Sequence, residues 1–144
     1  KAGMYNTANP AACWKDDMVI NSVTDHSASA PKTSAGKPMI MVFFSGQGME
    51  QADLDKMVEH GIAGATKMAT ILGDQPFFGG AKPTLGDFWY AAGIFSLCRN
   101  ESGGPQAHVY EQMNKALPAP IAAWADRMAE EMKDYLAARP KCMV

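Results

Sequence analysis

The fold of this chain is decided by residues 77–99, which read FFGGAKPTLGDFWYAAGIFSLCR. Thr84 and Asp87 have the spacing of a capping box, in which two side chains and two backbone amides bond reciprocally. An aspartate in the first turn also suits the positive end of a helix dipole. No charged residue lies between Asp87 and Arg99, and a helix that is apolar nearly all round must be buried. We therefore predict a central helix over residues 84–99, enclosed by other helices.

Helical patterns continue on both sides of this stretch. Asn9 and Pro10 have the order of an N-cap followed by the first helical residue. Apolar residues at three- and four-residue steps predict helices over residues 9–25, 50–72, 106–117 and 120–138. The apolar run 39–44 could form either a strand or a piece of helix. Residues 1–144 are thus predicted to form one all-α domain, a bundle of about five helices in which Trp89 and Phe95 are shielded from water.

Composition excludes some classes of partner. The formal net charge of −2 offers no electrostatic basis for binding nucleic acid or acidic lipid. The longest purely apolar run, residues 39–44, is too short to span a membrane. Cys13, Cys98 and Cys142 are odd in number and far apart, which fits a reducing compartment. We expect an intracellular location, in the cytoplasm or alternatively in an organelle.

Residues that could carry chemistry are few. The histidines His26, His60 and His108 are scattered without the spacing of metal ligands, so each is predicted to lie at the surface or to cap a helix. Cys98 lies in the apolar stretch, where it is either a small core residue or a reactive thiol. The 11 methionines indicate adaptable core packing or a loose pocket for varied apolar ligands. We predict no catalytic residue and no metal site.

Three segments resemble the C-terminal helical domain of the cytosolic glutathione transferases. Residues 77–88, FFGGAKPTLGDF, resemble the lead-in to the buried helix of that domain, where the capping box is a folding signature. Residues 3–25 resemble its first helix and residues 117–140 its terminal helices. The resemblance covers nearly the whole chain, although Gly86 stands where the family would have Ala. It implies the all-α fold of the glutathione transferase C-terminal domain.

The resemblance also implies a site on the first helix. Tyr5, Trp14 and Met18 are candidates for the apolar wall that holds the second substrate of a glutathione transferase. Asp17 is a candidate for contact with glutathione bound by the neighbouring subunit. The alternatives are ordinary packing for the first three residues and a solvated surface carboxylate for Asp17.

Two functions follow from the resemblance. Glutathione transferases bind and activate glutathione in a thioredoxin-like N-terminal domain, and the βαβ pattern of such a domain is missing from these 144 residues. Because the chain starts at Lys1 rather than Met, we expect it to be processed, truncated or a fragment. As given, it is predicted to be a non-catalytic binding or docking module for an apolar small molecule, a protein partner or a second copy. Alternatively, it is the substrate-binding half of a transferase that conjugates glutathione to hydrophobic electrophiles. Glutathione would then be a co-substrate only if a thioredoxin-like domain accompanies this one.

Overall fold

The computed structural model describes residues 8–45, 49–100 and 107–140. This part of the chain is all-helical apart from turns and two isolated β-bridges. The helices in chain order are α1 Pro10–Ala28, α2 Met39–Phe44, α3 Gln51–Leu72, α4 Leu85–Leu97, α5 Ala107–Ala116, α6 Ala119–Glu131 and α7 Lys133–Ala138.

Local signals place the helix ends close to where the sequence predicts them. The side chain of Asn9 accepts a hydrogen bond from the Ala12 amide at 3.3 Å, and Pro10 is the first residue of α1. At the C-terminal end of α3, Gly73 has a φ of 59°, a conformation that glycine adopts without steric cost. The predicted N-cap of α1 is confirmed, and α3 ends at residue 72 as predicted.

The number of helices differs from the prediction of about five. Residues 39–44 form the short helix α2, which resolves the choice between strand and helix for that run. The predicted terminal helix over residues 120–138 is divided at Met132, where φ is −107° and ψ is 10°. The described ranges therefore contain seven helices, because one undecided run is helical and one predicted helix is two.

The predicted capping box forms at the start of α4. The Thr84 amide donates a hydrogen bond to Oδ2 of Asp87 at 2.9 Å. The return contact, from the Asp87 amide to the Thr84 side chain, completes the box. The helix ends at Leu97 rather than at the predicted Arg99.

The carboxylate of Asp87 also binds groups outside the capping box. Its Oδ1 accepts hydrogen bonds from the Phe78 amide and from the indole N–H of Trp124, both at 2.8 Å. Its Oδ2 accepts a further bond from the Gly79 amide at 3.1 Å. The side chain is fully buried. One carboxylate thus joins the loop before α4, the first turn of α4 and the helix α6.

A second buried carboxylate, that of Asp16, ties α1 to the start of α4. Asp16 is only 3% exposed, and its Oδ1 accepts hydrogen bonds from the Gly86 amide at 3.0 Å and from the Thr84 hydroxyl. A Cβ on Gly86 would lie 2.9 Å from that oxygen and 3.1 Å from Cβ of Val19. The close approach of α1 explains why glycine stands where the resemblance leads one to expect alanine.

The core consists of two apolar clusters. The larger cluster lies among α1, α3, α4 and α6, where the Trp124 ring packs at centroid distances of 5.0 Å from Tyr90 and 5.5 Å from Phe78. The smaller one lies among α2, α3 and α5 and includes the edge-to-face pair of Phe43 and Tyr110. Cys98 packs against both clusters.

The central helix α4 is enclosed only in part. Ile94 and Phe95 are buried, as predicted. Trp89, however, is 51% exposed, and the neighbouring Ala92 is exposed as well. The prediction that Trp89 is shielded from water was wrong, because α1 and α6 pack against α4 and leave one of its faces uncovered.

The contacts of Asp87 predict a large loss of stability for Asp87→Asn. The amide side chain keeps one acceptor oxygen and turns an NH₂ group toward backbone donors. In either orientation of the amide, two N–H groups that are partly or fully buried lose their acceptor, which should lower the free energy of unfolding by about 2 kcal/mol. Urea unfolding followed by circular dichroism measures this quantity.

Asp126→Asn is the matched control. Asp126 is exposed and pairs with Arg99 at 2.7 Å, and surface ion pairs contribute less than about 1 kcal/mol. Equal losses in the two variants would contradict the role assigned to the buried carboxylate.

Candidate ligand-binding cavity

A cavity of about 190 Å³ lies among α1, α3 and α4, with α2 and α5 contributing to its walls. The lining is predominantly apolar and includes four methionines, Met39, Met57, Met68 and Met113. An apolar cavity of about 150 Å³ is large enough to bind benzene. The same four methionines are buried members of the two core clusters, so they pack the core and line the cavity at once.

Two histidines stack at the wall formed by α1 and α3. The ring centroids of His26 and His60 are 3.8 Å apart, and the ring planes differ by 8°. Nε2 of His60 lies 3.0 Å from the carbonyl oxygen of His26, so this nitrogen carries the proton and donates. Both residues are partly buried, whereas His108 is exposed on α5. His60 thus bonds a carbonyl in the last turn of α1, which agrees with the predicted capping alternative, and His26 is a partly buried residue of that same turn.

The environment of His26 favours its neutral form. Burial, with a smaller contribution from the charge of His60, lowers the pKa of His26 below its ordinary value of 6.5. Its Nε2 is enclosed and has no hydrogen-bond partner among the described residues. The ring lies directly against α3, where a Cβ on Gly64 would be 2.5 Å from both Cδ2 and Nε2 of His26. Glycine at position 64 thus makes room for the imidazole.

Two ionisable side chains of the cavity wall come from this region: Tyr90 lies on α4, and Cys98 directly follows α4. Burial raises the pKa of the Cys98 thiol to about 11, and burial also raises the pKa of the Tyr90 phenol. Both groups are therefore protonated at pH 7. Because the thiolate is the reactive form of cysteine, the structure favours the core-residue interpretation of Cys98 over the reactive thiol.

The site residues implied by the family resemblance lie elsewhere. Trp14 is 67% exposed, Asp17 is exposed and Met18 is partly buried, all on α1. Residues at i, i+3 and i+4 share one face of a helix, and none of these three lines the cavity. Tyr5 lies outside the described residues. Trp14, Asp17 and Met18 therefore lie on α1 outside the cavity lining, to which this helix contributes from Ser22 onward, and their substrate-binding role stays a prediction.

Residues 8–45, 49–100 and 107–140 contain neither a cluster of metal-ligating side chains nor a membrane-spanning helix. No group of three or more His, Cys, Asp or Glu side chains is placed to hold a metal ion there. None of the helices in these ranges has the length and apolar character needed to cross a membrane.

Comparison of the chain with protein-family models, with curated proteins and with solved structures gave no match.

Sequence reasoning missed the histidine pair and Tyr90 as cavity residues. One signal for His26 was present, since Val19, Val23 and His26 follow at steps of four and three along α1 and so continue its inward face. His60 lies 34 residues further on, and no local pattern relates the two rings. No sequence signal distinguishes Tyr90 from the other aromatic residues of the apolar stretch 77–99.

The position of the His26 ring predicts opposite effects for two glycine replacements. Alanine is favoured over glycine inside a helix by about 0.5–1 kcal/mol. A Cβ on Gly93 meets nothing within 4 Å, so Gly93→Ala should raise the free energy of unfolding by about that amount. Gly64→Ala should lower it instead, because the new methyl group displaces the imidazole.

Urea unfolding of the two variants measures the difference, and proton NMR of the histidine signals reports the stack. In Gly64→Ala the ring signals should shift, because the two imidazoles no longer lie face to face. If both alanine variants are equally stabilised, the placement of His26 against α3 is wrong.

Proposed function

We propose that this helical domain binds a small apolar molecule in the cavity among α1, α3 and α4 and does not transform it. The observation that carries the proposal is the cavity of about 190 Å³ with its predominantly apolar walls. Ligand sites in proteins are concave and mostly apolar, with a few polar groups that orient the ligand.

The volume limits the size of the ligand. Drug-sized molecules occupy pockets of about 300–1,000 Å³, so this cavity suits a molecule of about one ring. Flexible methionine side chains in its lining allow some variation in ligand shape. For seven non-hydrogen atoms we expect a Kd on the order of 10 µM to 1 mM.

The ionisation states of the lining favour binding over covalent chemistry. The raised pKa of Cys98 and the lowered pKa of His26 leave the thiol protonated and the imidazole uncharged at pH 7. A protonated thiol is a poor nucleophile. The Cys98 thiol therefore lacks the negative charge of an activated thiolate nucleophile.

A cavity-filling replacement at Gly93 tests the proposal. Gly93 lines the cavity, and a Cβ there meets nothing within 4 Å. The side chain of Gly93→Leu should therefore occupy the space without a clash. We expect this variant to bind toluene at least tenfold more weakly than the wild type, an effect of about 1.4 kcal/mol, measured by NMR titration.

Ala92→Leu is the matched control, because Ala92 is the adjacent residue of α4 but is exposed and does not line the cavity. Its toluene binding should equal that of the wild type. Absence of toluene binding by the wild type would refute the proposed function. Unchanged binding by Gly93→Leu would place the ligand outside this cavity.

As a second candidate, we propose the substrate-binding half of a glutathione transferase. The observation in its favour is the face of α1 that carries Trp14, Asp17 and Met18, with Trp14 67% exposed. An exposed large aromatic side chain suits a surface that another domain or subunit covers. In this function a thioredoxin-like domain would lower the thiol pKa of glutathione, and the α1 face would hold an electrophile beside the thiolate.

For both candidates we expect no measurable glutathione binding by the 144-residue chain. In glutathione transferases the glutathione pocket belongs to the thioredoxin-like domain. Titration calorimetry checks this expectation, and tight binding would contradict it. The transcript upstream of Lys1 distinguishes the candidates. A thioredoxin-like segment there would favour the transferase, because it would supply the glutathione-binding domain, and a targeting segment directly upstream would count against it.

A further inference from the structure

Tyr90 contributes to the cavity wall a hydroxyl that has no hydrogen-bond partner among residues 8–45, 49–100 and 107–140. Tyr90 lines the cavity and is only 8% exposed. Its ring is held by edge-to-face packing on Phe78 at 5.8 Å and by contact with Trp124 at 5.0 Å. The Trp124 indole is itself anchored on Asp87. The phenol ring therefore has a defined position in the wall.

The hydroxyl of Tyr90 forms no hydrogen bond within the described part of the chain. The enclosed side-chain atoms that lack a partner there are Nε2 of His26 and Nε of Arg99. Because the Tyr90 hydroxyl is not one of these enclosed atoms, it keeps accessible surface, and Tyr90 is a residue of the cavity wall. Buried Tyr hydroxyls usually find a partner, and leaving one unpaired in apolar surroundings is unfavourable. A ligand oxygen placed there would satisfy it.

The charge of the lining restricts what that oxygen can belong to. The phenol of Tyr90 and the thiol of Cys98 are both protonated at pH 7, because burial raises the pKa of each. The positive side chain of the lining, Lys67, is exposed. A charged group of the ligand placed at the Tyr90 hydroxyl would lose its hydration without gaining an opposite charge. This loss costs free energy.

We propose that the ligand of this cavity is a neutral molecule of about one ring whose single oxygen pairs with the Tyr90 hydroxyl. A phenol, a small alcohol or a small ketone on an apolar body belongs to this class. The inference rests on the proposed function, since it names the chemistry of the molecule that the same cavity would bind.

Phenol and toluene are the probes, because they have the same shape and the same number of non-hydrogen atoms but differ by the oxygen. Tyr90→Phe keeps the ring that packs on Phe78 and Trp124 and removes only the hydroxyl. We expect this variant to bind phenol about two- to tenfold more weakly, as for one lost neutral hydrogen bond. Toluene binding should stay unchanged. NMR titration at pH 7, where phenol is neutral, gives both constants.

Tyr110→Phe is the matched control, because Tyr110 is buried in the smaller cluster and does not line the cavity. It should bind both probes as the wild type does. Loss of phenol binding in this variant as well would mean that the effect does not come from the Tyr90 hydroxyl, and would overturn the inference.

Three further outcomes separate the inference from the proposed function. If the wild type binds neither probe, both fail. If it binds both probes and Tyr90→Phe changes neither constant, the inference fails while the proposed function stands. Benzoate tests for an anionic ligand: benzoate that binds more tightly than phenol, and loses that binding in Lys67→Gln, would also overturn the inference.

Discussion

The structure depends on one buried carboxylate that accepts hydrogen bonds from separate parts of the chain. Asp87 binds the amides of Phe78, Gly79 and Thr84 and the indole of Trp124. Backbone amides and the positive end of a helix dipole are well suited to stabilise a carboxylate away from water. The loop before α4, the start of α4 and the helix α6 are thereby held in one arrangement.

The same helix start also positions α1. Asp16 accepts hydrogen bonds from the Gly86 amide and the Thr84 hydroxyl, and Gly86 allows the two helices to approach closely. Further along α4, Gly93 lines the cavity, and a Cβ there would meet nothing within 4 Å. The cavity therefore lies beside a position on α4 that has no side chain to fill it.

The domain presents two surfaces with different chemistry. The cavity is apolar and is lined by uncharged forms of Tyr90, Cys98 and His26, which suits a small neutral ligand. The α1 face has an exposed tryptophan next to a carboxylate, which suits contact with another domain or subunit. The proposed binding of a small molecule draws on the cavity, and the proposed place in a larger glutathione transferase draws on Trp14, Asp17 and Met18, which lie outside the cavity lining.

The sequence alone was sufficient for the helical class, the capping box and most helix ends, because each depends on residues three or four positions apart. The spacing of Thr84 and Asp87 and the order of Asn9 and Pro10 are signals of this local kind. Tertiary structure alone decided the burial of Asp16, the exposure of Trp89 and the stacking of His26 on His60. These depend on how helices distant in the chain pack together, and local periodicity carries no information about which of two faces a neighbour covers. The cavity belongs to the same class, since an unfilled space exists only once the surrounding helices are in place.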